Sequence, residues 1–143
     1  MECYRTTAHT KFDHKYHLVW ITKYRKQVLI GEIGFRAREI IRQICEGLEV
    51  DIVRGNISPD HIHLFVSIPP KYSVSEIVKH LKGVTSRRLQ QEFPELQKEY
   101  WGRHFWAIGY FSATSGTITD EIIMKYIEEQ GESKEDENFK ITS

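Results

Sequence analysis

The stretch that most constrains the fold is DHIHLFVSI, residues 60–68, in which aliphatic side chains occupy every second position. This alternation is typical of a β-strand, because side chains at positions i and i+2 point to the same face. One face is wholly aliphatic: Ile62, Leu64, Val66 and Ile68. The other face carries His61, His63, Phe65 and Ser67. The sequence therefore predicts a strand whose aliphatic face lies in the core beneath helices, and whose histidine face is exposed or contacts a ligand.

The rest of the chain predicts a mixed fold with the element order β-α-β-β-α-β-α. Runs rich in β-branched and aromatic residues predict strands over 14–22, 50–57, 60–68 and 104–113. Aliphatic residues at three- and four-residue spacing predict helices over 32–48, 73–91 and 120–130.

Local signals sharpen this order. Ser73 and Glu76 have the spacing of a capping box at the start of the second helix, and Thr117 or Asp120 can cap the last. The short link at Ser58-Pro59 predicts an antiparallel hairpin between the second and third strands. We therefore expect an α+β fold, with an antiparallel sheet and helices packed mainly on one face.

Length and composition predict one domain over residues 1–130, followed by an acidic and flexible tail over 131–143. No apolar run approaches the roughly 20 residues of a membrane span, and the first ten residues do not resemble a signal peptide. These features predict a cytoplasmic protein. Cys3 and Cys45 have neither a disulfide pattern nor a zinc-site spacing, so we expect both to be reduced.

The charges are balanced in number but unevenly distributed. The chain has 20 lysines and arginines against 20 aspartates and glutamates. Two blocks, KYHLVWITKYRK at 15–26 and KHLKGVTSRR at 79–88, are basic and contain no acidic residue. A solvated surface is one interpretation of such blocks. The aromatic residues interleaved in the first block favour single-stranded nucleic acid, whose bases stack on rings while its phosphates meet cations.

The two histidines allow several interpretations when taken alone. Imidazoles about 7 Å apart on one strand face can converge on a cation or a phosphate, but two surface histidines would give the same pattern. The histidine-triad nucleotide hydrolase pattern is excluded because position 65 is Phe65. A zinc site would need further ligands, and no spacing singles out His17, His80 or His104.

The predicted last helix adds a tyrosine and an amide on one face. Tyr126 and Gln130 are four residues apart, so they lie one helical turn from each other. A single tyrosine in an amphipathic helix is more often a core aromatic. Together with the strand histidines, however, the pair favours a metal ion held by two imidazoles and an amide, beside a tyrosine that could attack a phosphate.

These motifs resemble those of the single-tyrosine transposases of bacterial insertion sequences, the IS200 type, whose His-hydrophobic-His motif is abbreviated HUH. DHIHLFVSIPP resembles the HUH motif and KYIEEQ the tyrosine helix. Supporting segments follow in the family's order: HTKFDHKYHLVWITKYRKQVL, LKGVTSRRL and FWAIGYF. The resemblance covers about residues 8–130. It implies that His61 and His63 bind a metal, that Tyr126 is the nucleophile, and that Gln130 is a further metal ligand.

The resemblance also implies an activity. Such a protein cleaves and rejoins single-stranded DNA next to hairpins at the ends of an element, through a 5′-phosphotyrosine intermediate. It uses magnesium or manganese, needs no nucleotide cofactor, and works as a homodimer in which one subunit's tyrosine serves the other's histidines. Candidate DNA contacts are then Lys23, Tyr24, Arg25, Lys82, Arg87 and Arg88.

Two other functions fit the same residues. One is a domesticated relative that binds or nicks structured single strands without transposition. The other is a metal-dependent hydrolase or a nickase of the replication-initiator type, although initiators commonly carry further domains.

Overall fold

An antiparallel sheet forms the centre of the protein in the computed structural model, which describes residues 4–99, 104–114 and 120–131. The strands, in chain order, are Arg5–Thr6 (β1), Lys11–Phe12 (β2), Lys15–Ile21 (β3), Asp51–Ser58 (β4), His61–Ser67 (β5) and Phe111–Thr114 (β6). The helices are Gly31–Gly47 (α1), Val74–Glu92 (α2), Glu95–Glu99 (α3) and Asp120–Gly131 (α4). The main sheet has the order β4-β5-β3-β6, and each neighbouring pair is antiparallel. The predicted α+β fold is thus confirmed.

The predicted hairpin is formed by β4 and β5. Ile57 pairs with Ile62 and Ser58 with His61, so Pro59 and Asp60 make the tight connection. This register points the aliphatic residues of β5 toward α1 and α2. They form one continuous core with residues of β3 and of both helices, among them Leu18, Trp20, Ile40, Ile41, Ile62, Leu64, Ile77 and Leu81. The predicted core face of the strand is therefore confirmed.

The predicted capping box begins α2. The Ser73 hydroxyl accepts a hydrogen bond from the Glu76 backbone N–H at 3.1 Å, and the Glu76 carboxylate accepts one from the Ser73 N–H at 2.8 Å. Two backbone donors that the helix itself cannot satisfy are thereby bonded.

The strand predicted over 104–113 is wrong in its first half. Phe105 and Trp106 are buried in the core. Among residues 104–110, only Trp106 forms a β-bridge, an isolated one to Thr22, the residue that follows β3. Gly109 has a φ of +91°, which turns the chain away from an extended path. The strand β6 consequently begins only at Phe111. The run of β-branched and aromatic residues predicted a strand from residue 104, but the positive φ of Gly109 interrupts the extended path before β6.

A short ribbon at the start of the described chain, β1 paired with β2, was not predicted. Arg5 fixes it to the main sheet. Its guanidinium donates to the Ser67 carbonyl at 2.9 Å and to the Glu49 carbonyl at 2.7 Å, and forms an ion pair with Asp51 at 3.1 Å. These contacts are distant in sequence, which is why local patterns did not indicate them.

Helix α4 packs on the face of the sheet opposite to α1 and α2. Its Ile123 and Ile127 are buried against Val19 and Ile21 of β3, a group we call the α4 cluster. The prediction that helices pack mainly on one face therefore holds, with α4 as the exception. Among the described residues, no helix has the length and apolar composition needed to span a membrane. Three parts of the predictions lie outside the described residues: the cap at Thr117, the thiol of Cys3, and residues 132–143 of the tail.

Candidate active site

His61 and His63 lie on the face of β5 that is turned away from α1 and α2. Both are partly exposed, whereas Ile62 between them is fully buried. On the neighbouring strand β3, Ile21 pairs with His61 and Val19 pairs with His63. The predicted division of this strand into a core face and a histidine face is confirmed.

Helix α4 brings Tyr126 to this same side of the sheet. The tyrosine packs against the α4 cluster, and its ring lies 5.5 Å from the ring of Phe111, measured between centroids. Two members of that cluster are the β3 residues paired with His61 and His63. Tyr126 thus packs over the sheet of its own chain, on the same side as both imidazoles.

The phenol of Tyr126 is protonated near neutral pH. Burial raises the pKa of Tyr126 to about 12, above the ordinary value, because the packed environment disfavours the charged phenolate. A neutral phenol is a weak nucleophile, so any attack by this group requires its proton to be removed.

The carboxylate of Asp60 is the hydrogen-bond partner of His61. Its Oδ1 lies 2.8 Å from His61 Nδ1, and its Oδ2 accepts from Arg25 Nε at 3.1 Å. Burial disfavours ionisation of Asp60, but the hydrogen bonds from His61 and Arg25 outweigh it and hold the pKa of this carboxyl below its ordinary value. Because an ionised carboxylate only accepts, His61 Nδ1 carries the proton and the lone pair of the neutral ring is on Nε2.

A third histidine, His17, contacts His63 through its imidazole ring. Nδ1 of His17 and Nε2 of His63 are 3.0 Å apart, and the His17 ring stacks on Phe65 with centroids 4.4 Å apart. Burial, and to a lesser extent the charge of Arg54, lowers the pKa of His17, so its ring is neutral near neutral pH. If His63 donates in this bond, its lone pair is on Nδ1.

The contacts of Asp60 and His17 were missed by the sequence analysis. Asp60 directly precedes the His-x-His pair, and that adjacency was the available signal. His17 was considered only as one of three unassigned histidines. Its position follows from the β3–β5 register, in which His17 pairs with Phe65, and local spacing does not reveal that register.

The predicted metal ligands are brought together only in part. Gln130 lies in the last turn of α4, but its side chain lies outside the described part of the structure. Within the described residues, no group of three histidine, cysteine, aspartate or glutamate side chains could hold a metal ion. Of the three predicted metal ligands, the structure therefore describes the side chains of His61 and His63. Their hydrogen-bonded second nitrogens are typical of metal-binding histidines.

The first group of predicted DNA contacts lies in the turn after β3. Lys23, Tyr24 and Arg25 form a short 3-10 turn in which Tyr24 and Arg25 both have left-handed φ values, 61° and 52°. Tyr24 is 54% exposed, and the Lys23 ammonium lies 5.3 Å from the centre of its ring. An exposed ring beside a cation suits base stacking. Arg25 instead turns to Asp60.

The second group lies on α2 and is more engaged within the protein. The Lys82 ammonium donates to the carbonyls of Ala107 and Gly109, both at 2.9 Å, and burial lowers its pKa. Arg88 donates to Gln43 at 3.3 Å, whereas Arg87 is exposed. Lys82 therefore supports the irregular segment before β6, and a DNA contact by it stays a prediction.

The two basic blocks meet at that irregular segment. A small cleft of about 130 Å³ is lined by Lys23, His104, Trp106, Ala107 and Ile108. Lys23 comes from the first block, and Lys82 of the second block binds the carbonyl of Ala107 at the same place. A larger groove of about 790 Å³ lies elsewhere, between α1 and β4, and carries three arginines. It contains none of the histidines or Tyr126 and therefore does not belong to this site.

Comparison with known proteins gives consistent matches over most of the chain. The family model for IS200-like transposases matches residues 10–130. The transposase for insertion sequence element IS200 of Salmonella typhimurium is 40% identical over 126 residues, which are 88% of this chain and 82% of that protein. The ISDra2 transposase TnpA of Deinococcus radiodurans is 36% identical over 119 residues, 83% and 85% of the two chains.

Two solved structures resemble the fold. A protein of Deinococcus radiodurans R1 assigned as a transposase superposes with a TM-score of 0.82 at 33% identity, covering 88% of this chain and 97% of that one. The REP-associated tyrosine transposase bound to a REP hairpin gives a TM-score of 0.54 at 10% identity, covering 83% and 68%. The second likeness concerns the fold alone.

Proposed function

Because this chain belongs to the family of IS200-like transposases, we propose that it cleaves and rejoins single-stranded DNA beside hairpins through a covalent bond to Tyr126. One observation carries the proposal. Tyr126 on α4 packs with the cluster that contains Val19 and Ile21, the β3 residues paired with His63 and His61, so the tyrosine and both histidines lie on the same side of the sheet.

The reaction exchanges one phosphodiester for another. The Tyr126 oxygen attacks the scissile phosphorus, the bond from phosphorus to the 3′ oxygen breaks, and the phenolic proton is transferred to the departing 3′ oxygen. The products are a 5′-phosphotyrosine and a free 3′-hydroxyl. Attack of a 3′-hydroxyl on the phosphotyrosine reverses these steps and releases the phenol. Bond energy is conserved in the intermediate, so neither water nor a nucleotide is consumed.

A divalent metal ion, magnesium or manganese, is part of the proposal. His61, His63 and Gln130 would hold it, and when bound it would polarise the phosphate and stabilise charge in the transition state. The donor set is suitable because His61 presents the lone pair of Nε2 while Asp60 accepts from Nδ1. Coordination preference alone favours manganese or zinc, because imidazole is a softer ligand than magnesium prefers.

The DNA strand is proposed to pass over the turn after β3 and the cleft beside it. Tyr24 offers an exposed ring, and Lys23, Lys82, Arg87 and Arg88 offer positive charge. The net charge of the chain is zero, so binding must come from this local grouping. Affinity should consequently fall steeply as the salt concentration rises.

A homodimer with exchanged tyrosine helices also belongs to the proposal. Among the described residues, the apolar contacts that hold α4 on its own sheet are those of the small α4 cluster, with Ala107, Phe111 and Tyr126 packed against it. Transfer of the helix to a second copy would therefore break few contacts.

The test is formation of a covalent protein–DNA adduct. The protein is incubated with end-labelled single-stranded DNA that carries a hairpin and an element end, with magnesium or manganese, and denatured before electrophoresis. We expect a labelled adduct with the wild type and none with Tyr126→Phe, which lacks the attacking oxygen. Tyr110→Phe is the matched control, because Tyr110 is also partly buried but lies outside the proposed site.

Two outcomes would contradict the proposal. An adduct with Tyr126→Phe as abundant as with the wild type would show that another residue is the nucleophile. Tight hairpin binding without cleavage in either metal would favour a domesticated protein that only binds structured single strands.

A further inference from the structure

Asp60 occupies the hairpin connection between β4 and β5, and each of its two carboxylate oxygens has a different partner. Oδ1 lies 2.8 Å from His61 Nδ1 and Oδ2 lies 3.1 Å from Arg25 Nε. The side chains of Asp60 and His61 are only 13% and 15% exposed. With both oxygens engaged, rotation of the carboxylate is restricted, and the ring of His61 is restricted with it.

The connection that carries Asp60 is itself held by the turn after β3. The Asp60 carbonyl accepts from the Thr22 backbone N–H at 3.0 Å, and the Pro59 carbonyl accepts from the Leu29 N–H at 2.9 Å. The Thr22 hydroxyl is fully buried and donates to the Lys26 carbonyl at 2.8 Å. The backbone beneath the Asp60 side chain is thus bonded on two sides.

Arg25 reaches Asp60 from an unusual backbone conformation. Both Tyr24 and Arg25 have left-handed φ values, which are uncommon for residues other than glycine and persist only where surrounding contacts enforce them. The ion pair with Asp60 is one such contact. The guanidinium that the sequence suggested as a DNA contact is therefore bonded to Asp60, the hydrogen-bond partner of His61.

We propose that Asp60, held by Arg25, is a positioning residue that fixes the His61 ring with Nε2 directed toward the bound metal ion. The inference rests on the proposed role of His61 as a metal ligand and extends it to two residues that would not touch the metal. A ligating histidine whose second nitrogen donates to a carboxylate binds metal more tightly, because ring orientation and tautomer are set in advance.

The experiment measures manganese binding by the full-length protein without DNA, from the loss of the free Mn²⁺ signal in electron paramagnetic resonance. Asp60→Ala is expected to raise the dissociation constant about 10–100-fold, the range found for such supporting partners. Asp60→Asn keeps an acceptor oxygen in place and should fall between Asp60→Ala and the wild type. Arg25→Ala should give a smaller increase than Asp60→Ala.

Asp51→Asn is the matched control. Asp51 is also paired with an arginine, Arg5, at 3.1 Å, but it begins β4 at the far end of the hairpin. Its replacement should leave manganese affinity unchanged. A second measurement follows adduct formation against manganese concentration. The Asp60 variants should need more metal for half-maximal rate, with the rate at saturation close to that of the wild type.

The outcomes distinguish a failure of this inference from a failure of the proposed function on which it rests. Equal manganese affinity in Asp60→Ala and the wild type would overturn the inference and leave the tyrosine chemistry standing. Equal losses in Asp60→Asn and Asp60→Ala would also overturn it, because charge and not orientation would then be the cause. A wild type that binds no manganese would overturn the metal role of His61 and the inference together. Thermal melts of each variant check that the fold is retained.

Discussion

The two faces of the central sheet differ in what they bury. On one face, the aliphatic residues of β3 and β5 join α1 and α2 in a continuous core that also takes in Phe105 and Trp106. On the other face, the buried apolar group is the α4 cluster, beside a row of polar rings formed by His17, His61 and His63. The strands β3 and β5 each contribute to both faces, because successive residues of a strand point to opposite sides.

This difference separates the folding of the protein from its chemistry. The first face excludes water and supplies most of the apolar burial that stabilises the fold. The second face keeps the imidazoles of His61 and His63 partly exposed, where a metal ion or DNA can reach them, and among the described residues it holds α4 through the α4 cluster. Substitutions on the two faces should therefore have different consequences, even at neighbouring positions.

The largest effect on stability is expected at Leu64, whose side chain is 2% exposed in the main core. Leu64→Ala should lower the free energy of unfolding by about 2–5 kcal/mol, because it removes apolar contacts and leaves a cavity. Urea denaturation followed by circular dichroism measures this loss.

His63→Ala, one position earlier on the opposite face, is the comparison. It should cost about 1–3 kcal/mol, the penalty for leaving the buried His17 imidazole without its 3.0 Å partner. DNA cleavage should be lost, whereas hairpin binding should remain. Equal destabilisation by both substitutions would mean that the histidine face also supports the fold.

A local effect, confined to one helix, is expected at Ile127, which is 1% exposed in the α4 cluster. Ile127→Ala should weaken the docking of α4 by about 2 kcal/mol, which corresponds to about 30-fold faster amide hydrogen exchange in that helix. Exchange in β5 should not change, because β5 is held by the main core. Hydrogen exchange read by mass spectrometry resolves the two segments.

Met124→Ala is the control for this change, since Met124 lies on the same helix but is 46% exposed. It should leave exchange in α4 nearly unchanged. If Ile127→Ala instead destabilised β5 as much as α4, the helix would be part of the cooperative core and the contrast between the faces would fail.

The features that the sequence predicted are those encoded by neighbouring residues. The two-residue period of β5, the helical spacing in α1 and the Ser73–Glu76 box each report on local geometry, and the structure contains all three. The Tyr126–Gln130 spacing likewise places two residues on one helical face whatever the rest of the chain does.

The features that the sequence could not reveal depend on tertiary register. The contact of His17 with His63 requires β3 to pair with β5 at one particular offset. The Arg25–Asp60 pair requires two left-handed residues in the turn after β3, which no glycine marks. The sequence therefore missed the contacts of His17 and Asp60, whereas the roles of His61, His63, Tyr126 and Gln130 were predicted from it and stay predictions.

The last expected effect concerns the ionisation of Tyr126. Burial raises the pKa of Tyr126 to about 12, whereas an unfolded tyrosine titrates near pH 10. The neutral phenol is thus the form that the docked helix favours. The neutral phenol therefore contributes to the free energy that docks α4. This contribution is fully present below about pH 10 and is lost as the pH rises through about 12.

Rapid mixing into alkaline buffer, followed by tyrosinate absorbance before the protein unfolds, tests this. The difference between the wild type and Tyr126→Phe should titrate near pH 12. Repeating it with Ile127→Ala as the parent, with and without Tyr126→Phe, should move the titration toward pH 10, because an undocked helix exposes the phenol to water. A midpoint near pH 10 in the wild type would mean that α4 does not bury its tyrosine, and that the second face lacks a docked helix in solution.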